Sequence, residues 1–137
     1  QIVATCCEIK KQIVERDEKE KLKERMLLNL GHTMGHAIEI STNWRHGEAV
    51  AAGTVFASKY ANKLGYLNNQ DLAKIISLIK KTALPWEIPK NLEMNTLKKL
   101  IYNDKKRTTE KINWVLPHKI GDVRVHPISL SKMPNIL

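Results

Sequence analysis

The chain has 137 residues, of which 42% are hydrophobic and 5% aromatic, and its formal net charge at pH 7 is +9. This length predicts one domain with a core of its own. No apolar run approaches the roughly 18 residues that a membrane-spanning helix needs, and no signal-peptide pattern opens the chain. Because the sequence begins at Gln1 directly in a helical pattern, we expect a fragment or isolated domain of a longer protein.

The positive charge raises the question of nucleic-acid binding, which basic domains often show. The lysines are spread over several predicted helices, and the chain carries neither zinc-finger spacing nor an RNP-like motif. We therefore interpret most of these charges as solvated surface and do not expect a nucleic-acid partner. The two cysteines, Cys6 and Cys7, are adjacent and too close for an ordinary disulfide, which favours a reducing, cytoplasmic setting.

The hydrophobic pattern predicts a mainly α-helical domain with a small β-hairpin near its end. Gly65 is expected to terminate the third helix, Asn68 or Asn69 to cap the fourth, and Gly121 to form the hairpin turn. Helices are predicted at residues 2–16, 22–41, 46–64, 70–82 and 95–103, strands at 111–116 and 122–126, and the start of a further helix in 128–137.

Four polar side chains recur along the second predicted helix. Arg25, Asn29, His32 and His36 follow one another at spacings of four, three and four residues. On an α-helix this spacing places them within a stripe about 60° wide, at about 100° per residue. A cation, an amide and two imidazoles in one row, with His46 ten residues further on, indicate the wall of an active site.

The two histidines of this stripe allow more than one interpretation. Histidines four residues apart on a helix can bind one metal ion, as in the zinc-protease motif HExxH. That motif needs Glu where Thr33 stands, so the protease hypothesis fails. Gly31 and Gly35 each cost a helix about 1 kcal/mol relative to Ala. Two such residues predict that another backbone packs closely against this helix.

The residues themselves resemble a known family. Residues 28–39, LNLGHTMGHAIE, and 46–53, HGEAVAAG, are similar to the 3-dehydroquinate synthase patterns LNxGHTxGHAxE and HGExVxxGM. The resemblance implies that residues 1–137 form the C-terminal, metal- and substrate-binding domain of a dehydroquinate-synthase-like fold, downstream of an NAD-binding domain. Further similar segments are residues 6–10, the Asp-Glu pair at 17–18, the NDKK stretch at 103–106, and the hairpin at 112–125.

For the metal, the resemblance implies His32 and His46 as ligands and a third ligand, a Glu, upstream of this chain. His46 is expected at a helix N-terminus, where the helix dipole disfavours the imidazolium form. Glu39 and Glu48 are alternatives for completing the site, ranked below the upstream Glu. Glu48 is expected instead to orient a metal-ligating side chain without contacting the metal itself.

For the substrate, the resemblance implies side chains suited to a phosphorylated, carboxylated sugar. A guanidinium forks onto carboxylate or phosphate, an amide binds hydroxyls, and an imidazole moves protons at neutral pH. The register of two lysines stays open, because Lys11 adjoins Lys10 and Lys106 adjoins Lys105. The implied substrate-binding residues are Arg25, Asn29, His36, Lys10 and Lys105, and the implied catalytic residues are His36, Lys10, Arg25 and Asn29.

The implied reaction converts 3-deoxy-D-arabino-heptulosonate 7-phosphate to 3-dehydroquinate and phosphate, a carbon–oxygen lyase step of the shikimate pathway. The family implies NAD and Zn²⁺, with Co²⁺ as an alternative metal, and a homodimer. Two rival hypotheses remain, namely a related NAD- and zinc-dependent cyclase such as a 2-deoxy-scyllo-inosose synthase, and a non-catalytic interaction domain. Without the upstream ligand and the NAD domain, residues 1–137 alone are expected to be inactive.

Overall fold

The computed structural model describes residues 1–18, 24–105 and 111–129, with the backbone alone for 104 and 105. Over these ranges the chain forms five α-helices, a short 3₁₀-helix and an antiparallel hairpin, which confirms the predicted fold class. Within the same ranges, no helix has the length and apolar character needed to cross a bilayer. The elements are α1 (Ile2–Arg16), the 3₁₀-helix (Glu24–Asn29), α2 (His32–Ser41), α3 (His46–Lys63), α4 (Asn69–Lys81), α5 (Met94–Lys105), β1 (Lys111–Lys119) and β2 (Asp122–Ser129).

The single helix predicted over 22–41 was wrong. Where the structure describes this stretch, a 3₁₀-helix is followed by Gly31 in the left-handed region, with φ of 80°, and α2 begins immediately afterwards. Glycine adopts this conformation without the steric cost that a side chain brings. Arg25 and Asn29 therefore lie on a different element from the two histidines, and the four residues do not share one α-helical stripe.

Glycines bring α2 and α3 into backbone contact, as the sequence predicted. A Cβ added to Gly35 would lie 3.1 Å from the Val50 Cα, and one added to Gly53 would collide with the Gly31 carbonyl oxygen. The Cβ of Gly53 would also lie 2.8 Å from the Gly35 nitrogen. This close approach fixes where the histidines of α2 stand relative to the start of α3.

The core lies where α2, α3, α5 and the hairpin meet. The Trp114 ring packs with its centroid 5.5 Å from that of Tyr60 and 6.0 Å from that of Phe56, so β1 is anchored on α3. Burying such apolar surface is the main stabilising contribution of a domain of this size. The largest buried side chains of the core are Met34, Ile38, Phe56, Tyr60, Leu67, Leu97, Ile101, Ile112, Trp114 and Leu116.

The ends of the later elements follow local chemistry. Gly65, with φ of 78°, ends α3, and the Asn68 side-chain oxygen caps α4 by accepting the Asp71 N–H at 2.8 Å. β2 runs to Ser129, so residues 128 and 129 belong to a strand, contrary to the predicted helix there. The rest of that predicted helix, 130–137, lies outside the described residues.

Two histidines of the hairpin lie head to head. The Nε2 atoms of His118 and His126 are 2.8 Å apart, and their rings are inclined by only 10°. Both rings stack on Tyr66, with centroids 4.7 Å and 4.6 Å from that of the phenol ring. One N–H therefore bridges the two imidazoles, and the hairpin is tied to the turn that follows α3.

This pair predicts an acid-sensitive hairpin. Burial, then the nearby His118 and the Arg124 guanidinium, lowers the pKa of His126 from its ordinary value of 6.5. The folded chain takes up this proton less readily than the unfolded chain, so the contribution is complete above pH 6.5 and is lost as the pH falls through the lowered pKa. Urea unfolding at about pH 8 and about pH 5 should show a smaller acid loss for His126→Asn than for the wild type. Equal losses would contradict this assignment.

Candidate metal and substrate site

Three imidazoles converge at the junction of α2 and α3. His32 and His36 occupy the first two turns of α2, and His46 is the first residue of α3. The ring centroid of His32 lies 5.5 Å from that of His36 and 5.3 Å from that of His46. Those of His36 and His46 lie 5.9 Å apart. The short 42–45 connection reverses the chain, and this reversal brings the third histidine to the other two.

Two of these rings, those of His32 and His46, contact an oxygen acceptor through Nδ1, which leaves Nε2 as the nitrogen available to a metal. His32 Nδ1 lies 3.2 Å from the Leu30 carbonyl oxygen, and His46 Nδ1 lies 3.0 Å from the Glu39 Oε2. Carbonyl and carboxylate oxygens accept, so each Nδ1–H donates, and in the neutral ring each Nε2 then carries the lone pair. This is the arrangement that metal-ligating histidines adopt in proteins, and the chemistry of the donor set fits Zn²⁺ or Co²⁺.

The carboxylate beside the histidines is Glu39 rather than Glu48. The Glu48 Oε2 accepts the Arg45 N–H at 2.8 Å and so closes the first turn of α3. The expectation that Glu48 orients a ligand is therefore not met, because its carboxylate is used as a helix cap. Glu39 offers an oxygen that lies, with one nitrogen each of His36 and His46, in a group whose members are all within 4.8 Å of one another.

A cationic cavity of about 390 Å³ adjoins the histidines. It brings together Lys10, Arg25 and Asn29, which come from α1 and the 3₁₀-helix, beside His32. The buried carboxylate of Asp17 accepts the Arg25 backbone N–H at 3.3 Å and so connects the end of α1 to the 3₁₀-helix. The cavity is lined by Lys10, Asp17, Arg25, Met26, Leu28, Asn29 and His32.

The structure distinguishes between the first pair of adjacent lysines but not the second. Lys10 lines the cavity, whereas the Lys11 Nζ lies 3.9 Å from the Glu15 carboxylate on the exposed side of α1. Lys105 is the last residue of α5, and its side chain lies outside what the structure describes, as does all of Lys106. The predicted role of Lys105 stays a prediction.

His36 faces a second, smaller cavity of about 180 Å³ between α2 and α5. His36 is an exposed residue, so its side chain is accessible to water or a ligand. The polar side chains that line it are Thr33, His36 and Glu39, and α5 contributes Leu100 and Ile101. His36 therefore lies at the surface of this cavity and is not part of the buried core.

Together the elements define a class of protein, namely a helical ligand-binding domain that can hold a divalent cation and an anionic small molecule side by side. Residues 1–107 match the family model described as 3-dehydroquinate synthase C-terminal. The chain belongs to this family. The match spans the double-histidine segment, the start of α3 and the whole of the cationic cavity.

Curated relatives agree with this family. The chain is 48% identical over 123 residues to the 3-dehydroquinate synthase of Buchnera aphidicola subsp. Baizongia pistaciae (strain Bp), covering 88% of the chain and 34% of the relative. It is 44% identical over 139 residues to that of Thermoanaerobacter sp. (strain X514), covering 99% of the chain and 38% of the relative. The chain therefore spans about a third of the length of the curated relatives that it matches.

Solved structures share the fold at lower sequence identity. A 2-deoxy-scyllo-inosose synthase complexed with carbaglucose-6-phosphate, NAD⁺ and Co²⁺ superposes with a TM-score of 0.78 at 24% identity, covering 94% of this chain and 37% of that one. A 2-epi-5-epi-valiolone synthase from Streptomyces hygroscopicus subsp. jinggangensis 5008 with NAD⁺ and Zn²⁺ bound gives 0.73 at 18% identity, covering 88% and 34%. At these identities the likeness concerns the fold alone.

Proposed function

We propose that this chain is the metal- and substrate-binding domain of a 3-dehydroquinate synthase. The whole protein would convert 3-deoxy-D-arabino-heptulosonate 7-phosphate to 3-dehydroquinate and inorganic phosphate, with no net oxidation, as a carbon–oxygen lyase of the shikimate pathway. The observation that carries the proposal is the convergence of His32, His36 and His46 beside a cavity lined by Lys10 and Arg25. Relatives that are 44–48% identical bear this enzyme's name.

The metal would be held by His32 and His46 through their Nε2 atoms, with a carboxylate from an upstream domain as third ligand. Imidazole ligands suit both Zn²⁺ and Co²⁺. Of the two structural relatives, the 2-deoxy-scyllo-inosose synthase is described with Co²⁺ and the 2-epi-5-epi-valiolone synthase with Zn²⁺. When bound, the cation supplies Lewis-acid stabilisation of a substrate oxygen. The chain itself contributes the direction of the two Nε2 lone pairs, which the contacts of the Nδ1 atoms determine.

The substrate would lie between the metal ligands and the cationic cavity. Arg25 is suited to bidentate binding of a carboxylate or phosphate, and Lys10 adds a point charge. Asn29 can hydrogen-bond to hydroxyls, and the exposed His36 ring can accept a proton from the substrate and return it. Lys105 is proposed as a further contact to the substrate. Holding the reacting groups in register is the main contribution that such residues make to rate.

An upstream domain that binds NAD, the source of the hydride chemistry, is proposed to complete the enzyme. The support is that the chain spans about a third of its relatives and that α1 has no buried residue. The apolar side chains of Ile2, Val3 and Ile9 are 82%, 76% and 51% exposed, as expected for a helix that packs on another domain. We further propose a homodimer in the cytoplasm, and no turnover by residues 1–137 alone.

A sister sugar-phosphate cyclase is the second candidate. The fold likeness to a 2-deoxy-scyllo-inosose synthase, with a TM-score of 0.78, favours it. Sequence identity weighs against it, since the identity is 24% to this cyclase but 44–48% to relatives called 3-dehydroquinate synthase. The two candidates share metal, cofactor and fold and differ in the sugar phosphate that they accept.

The test is phosphate release by the protein that includes the upstream domain, with NAD, before and after chelation of metal. The heptulosonate phosphate should release phosphate, form 3-dehydroquinate and stop on chelation, with activity restored by Zn²⁺ or Co²⁺. Glucose 6-phosphate, which carbaglucose-6-phosphate resembles, is the comparison substrate. Turnover of glucose 6-phosphate alone would support the sister cyclase, and no turnover of either by folded, metal-loaded protein would contradict both candidates.

The two adjacent lysines provide a matched pair of variants. Lys10→Ala should lower kcat/KM by about 10–100-fold, mainly through KM, because a hydrogen bond to a charged group contributes about 1.5–3 kcal/mol. Lys11→Ala, which removes only an exposed pair with Glu15, should change kcat/KM by less than about twofold. Steady-state kinetics at low ionic strength measures both, and equal effects would contradict the assigned register.

A further inference from the structure

We infer that Glu39 is a positioning residue, which fixes the tautomer and the direction of His46 as a metal ligand. The inference rests on the proposed function. Glu39 lies on the third turn of α2, and its Oε2 is 3.0 Å from the Nδ1 of His46, the first residue of α3. The contact crosses the loop between the two helices, seven residues apart in sequence.

The chemistry of the two groups gives the contact a direction. A carboxylate oxygen accepts, so Nδ1–H donates, and in the neutral ring Nε2 then holds the lone pair. The His46 side chain is 54% exposed, so packing does not hold its ring in place. Without Glu39 the ring could rotate and populate both tautomers, and part of the population would present an N–H where a metal needs a lone pair.

A purely structural role for this contact is the weaker explanation. Both side chains are substantially exposed, at 54% and 37%, and exposed ion pairs contribute little to folding stability. The other explanation is that Glu39 ligates the metal itself, because its oxygen lies near nitrogens of His36 and His46. A glutamine at position 39 separates these roles. Its amide oxygen can still accept the Nδ1–H, but it is a poor substitute for a charged ligand.

The experiment compares wild type, Glu39→Gln and Glu39→Ala in the protein that includes the upstream domain. Co²⁺ affinity is measured by titration, and the His46 tautomer by ¹⁵N NMR of metal-free, histidine-labelled protein, assigned with His46→Gln. Glu39→Ala should weaken Co²⁺ binding by about 10–100-fold and give a mixture of tautomers. Glu39→Gln should weaken it by only about threefold and keep the Nδ1–H form.

Glu48→Ala is the matched control, because it removes a neighbouring carboxylate that caps α3. It should lower the melting temperature and leave the His46 tautomer unchanged. Equal loss of affinity in Glu39→Gln and Glu39→Ala, or one unchanged tautomer in Glu39→Ala, would overturn the positioning role. Full Co²⁺ affinity in Glu39→Ala would overturn it too and leave the proposed function standing. A wild type that binds no Co²⁺ would contradict the proposed function itself.

Discussion

His46→Ala is expected to abolish stable metal binding and to lower kcat/KM by at least about 1,000-fold, the equivalent of about 4 kcal/mol of transition-state stabilisation. His46 begins α3, and its ring centroid stands 5.3 Å from that of His32. Its loss would leave one imidazole of this chain as ligand, and alanine has no donor atom to replace it. Metal content after dialysis and phosphate release with NAD measure the two effects.

A histidine of the hairpin provides the control for this loss. His126→Asn removes an imidazole that contacts His118 and Tyr66, away from the three converging rings. At about pH 8, where the acid-sensitive contribution is complete, this variant should keep both its metal and its turnover. Full metal content in His46→Ala would contradict the proposed ligand set, and metal loss in both variants would indicate a general effect of removing histidines.

Gly53→Ala is expected to destabilise the domain by more than about 3 kcal/mol, because overpacking at backbone contact cannot be relieved by side-chain movement. The added Cβ would collide with the Gly31 carbonyl oxygen and lie 2.8 Å from the Gly35 nitrogen. Both atoms belong to backbone, so α2 and α3 would have to separate. Urea unfolding measures the change in the free energy of unfolding, and the same separation should weaken metal binding.

Gly47→Ala is the matched control, since it makes the same chemical change in the same helix. A Cβ at Gly47 meets nothing within 4 Å. Alanine is the better helix former, so this variant should gain up to about 1 kcal/mol. A loss of less than about 1 kcal/mol in Gly53→Ala would show that the helices can move apart at little cost, and that the glycine contact does not hold the site.

Much of the fold could be predicted from sequence because it follows from neighbouring residues. Apolar periodicity predicted the helices. Gly65 and Asn68 indicated the end of α3 and the start of α4, because a left-handed glycine and a side-chain cap act on neighbouring backbone groups. Alternation of apolar and polar residues around Gly121 predicted the hairpin. The conspicuous histidines, with the glycines between them, were also sufficient to predict the family and the close packing of a second backbone.

Other features depended on residues distant in the chain. The helix predicted through Gly31 is broken, because that glycine lies against Val50 and Thr54 of α3 and adopts a backbone conformation that periodicity does not reveal. Lys10 and Lys11 are adjacent and of the same residue type, so the sequence does not distinguish them. The packing of α1 on the 3₁₀-helix determines which of them faces the cavity.

The carboxylate that contacts His46 could not be predicted from sequence either, because this contact also depends on tertiary packing. From sequence, Glu39 and Glu48 were both candidates to contact the histidines. In the structure the Glu48 carboxylate caps α3, and the chain reversal between α2 and α3 brings Glu39 to His46. The sequence by itself therefore determined the family, the helices and the identities of the candidate ligands. Tertiary structure decided which side chains meet, because a contact across a loop depends on the distance and angle between two packed helices, which local residue patterns do not specify.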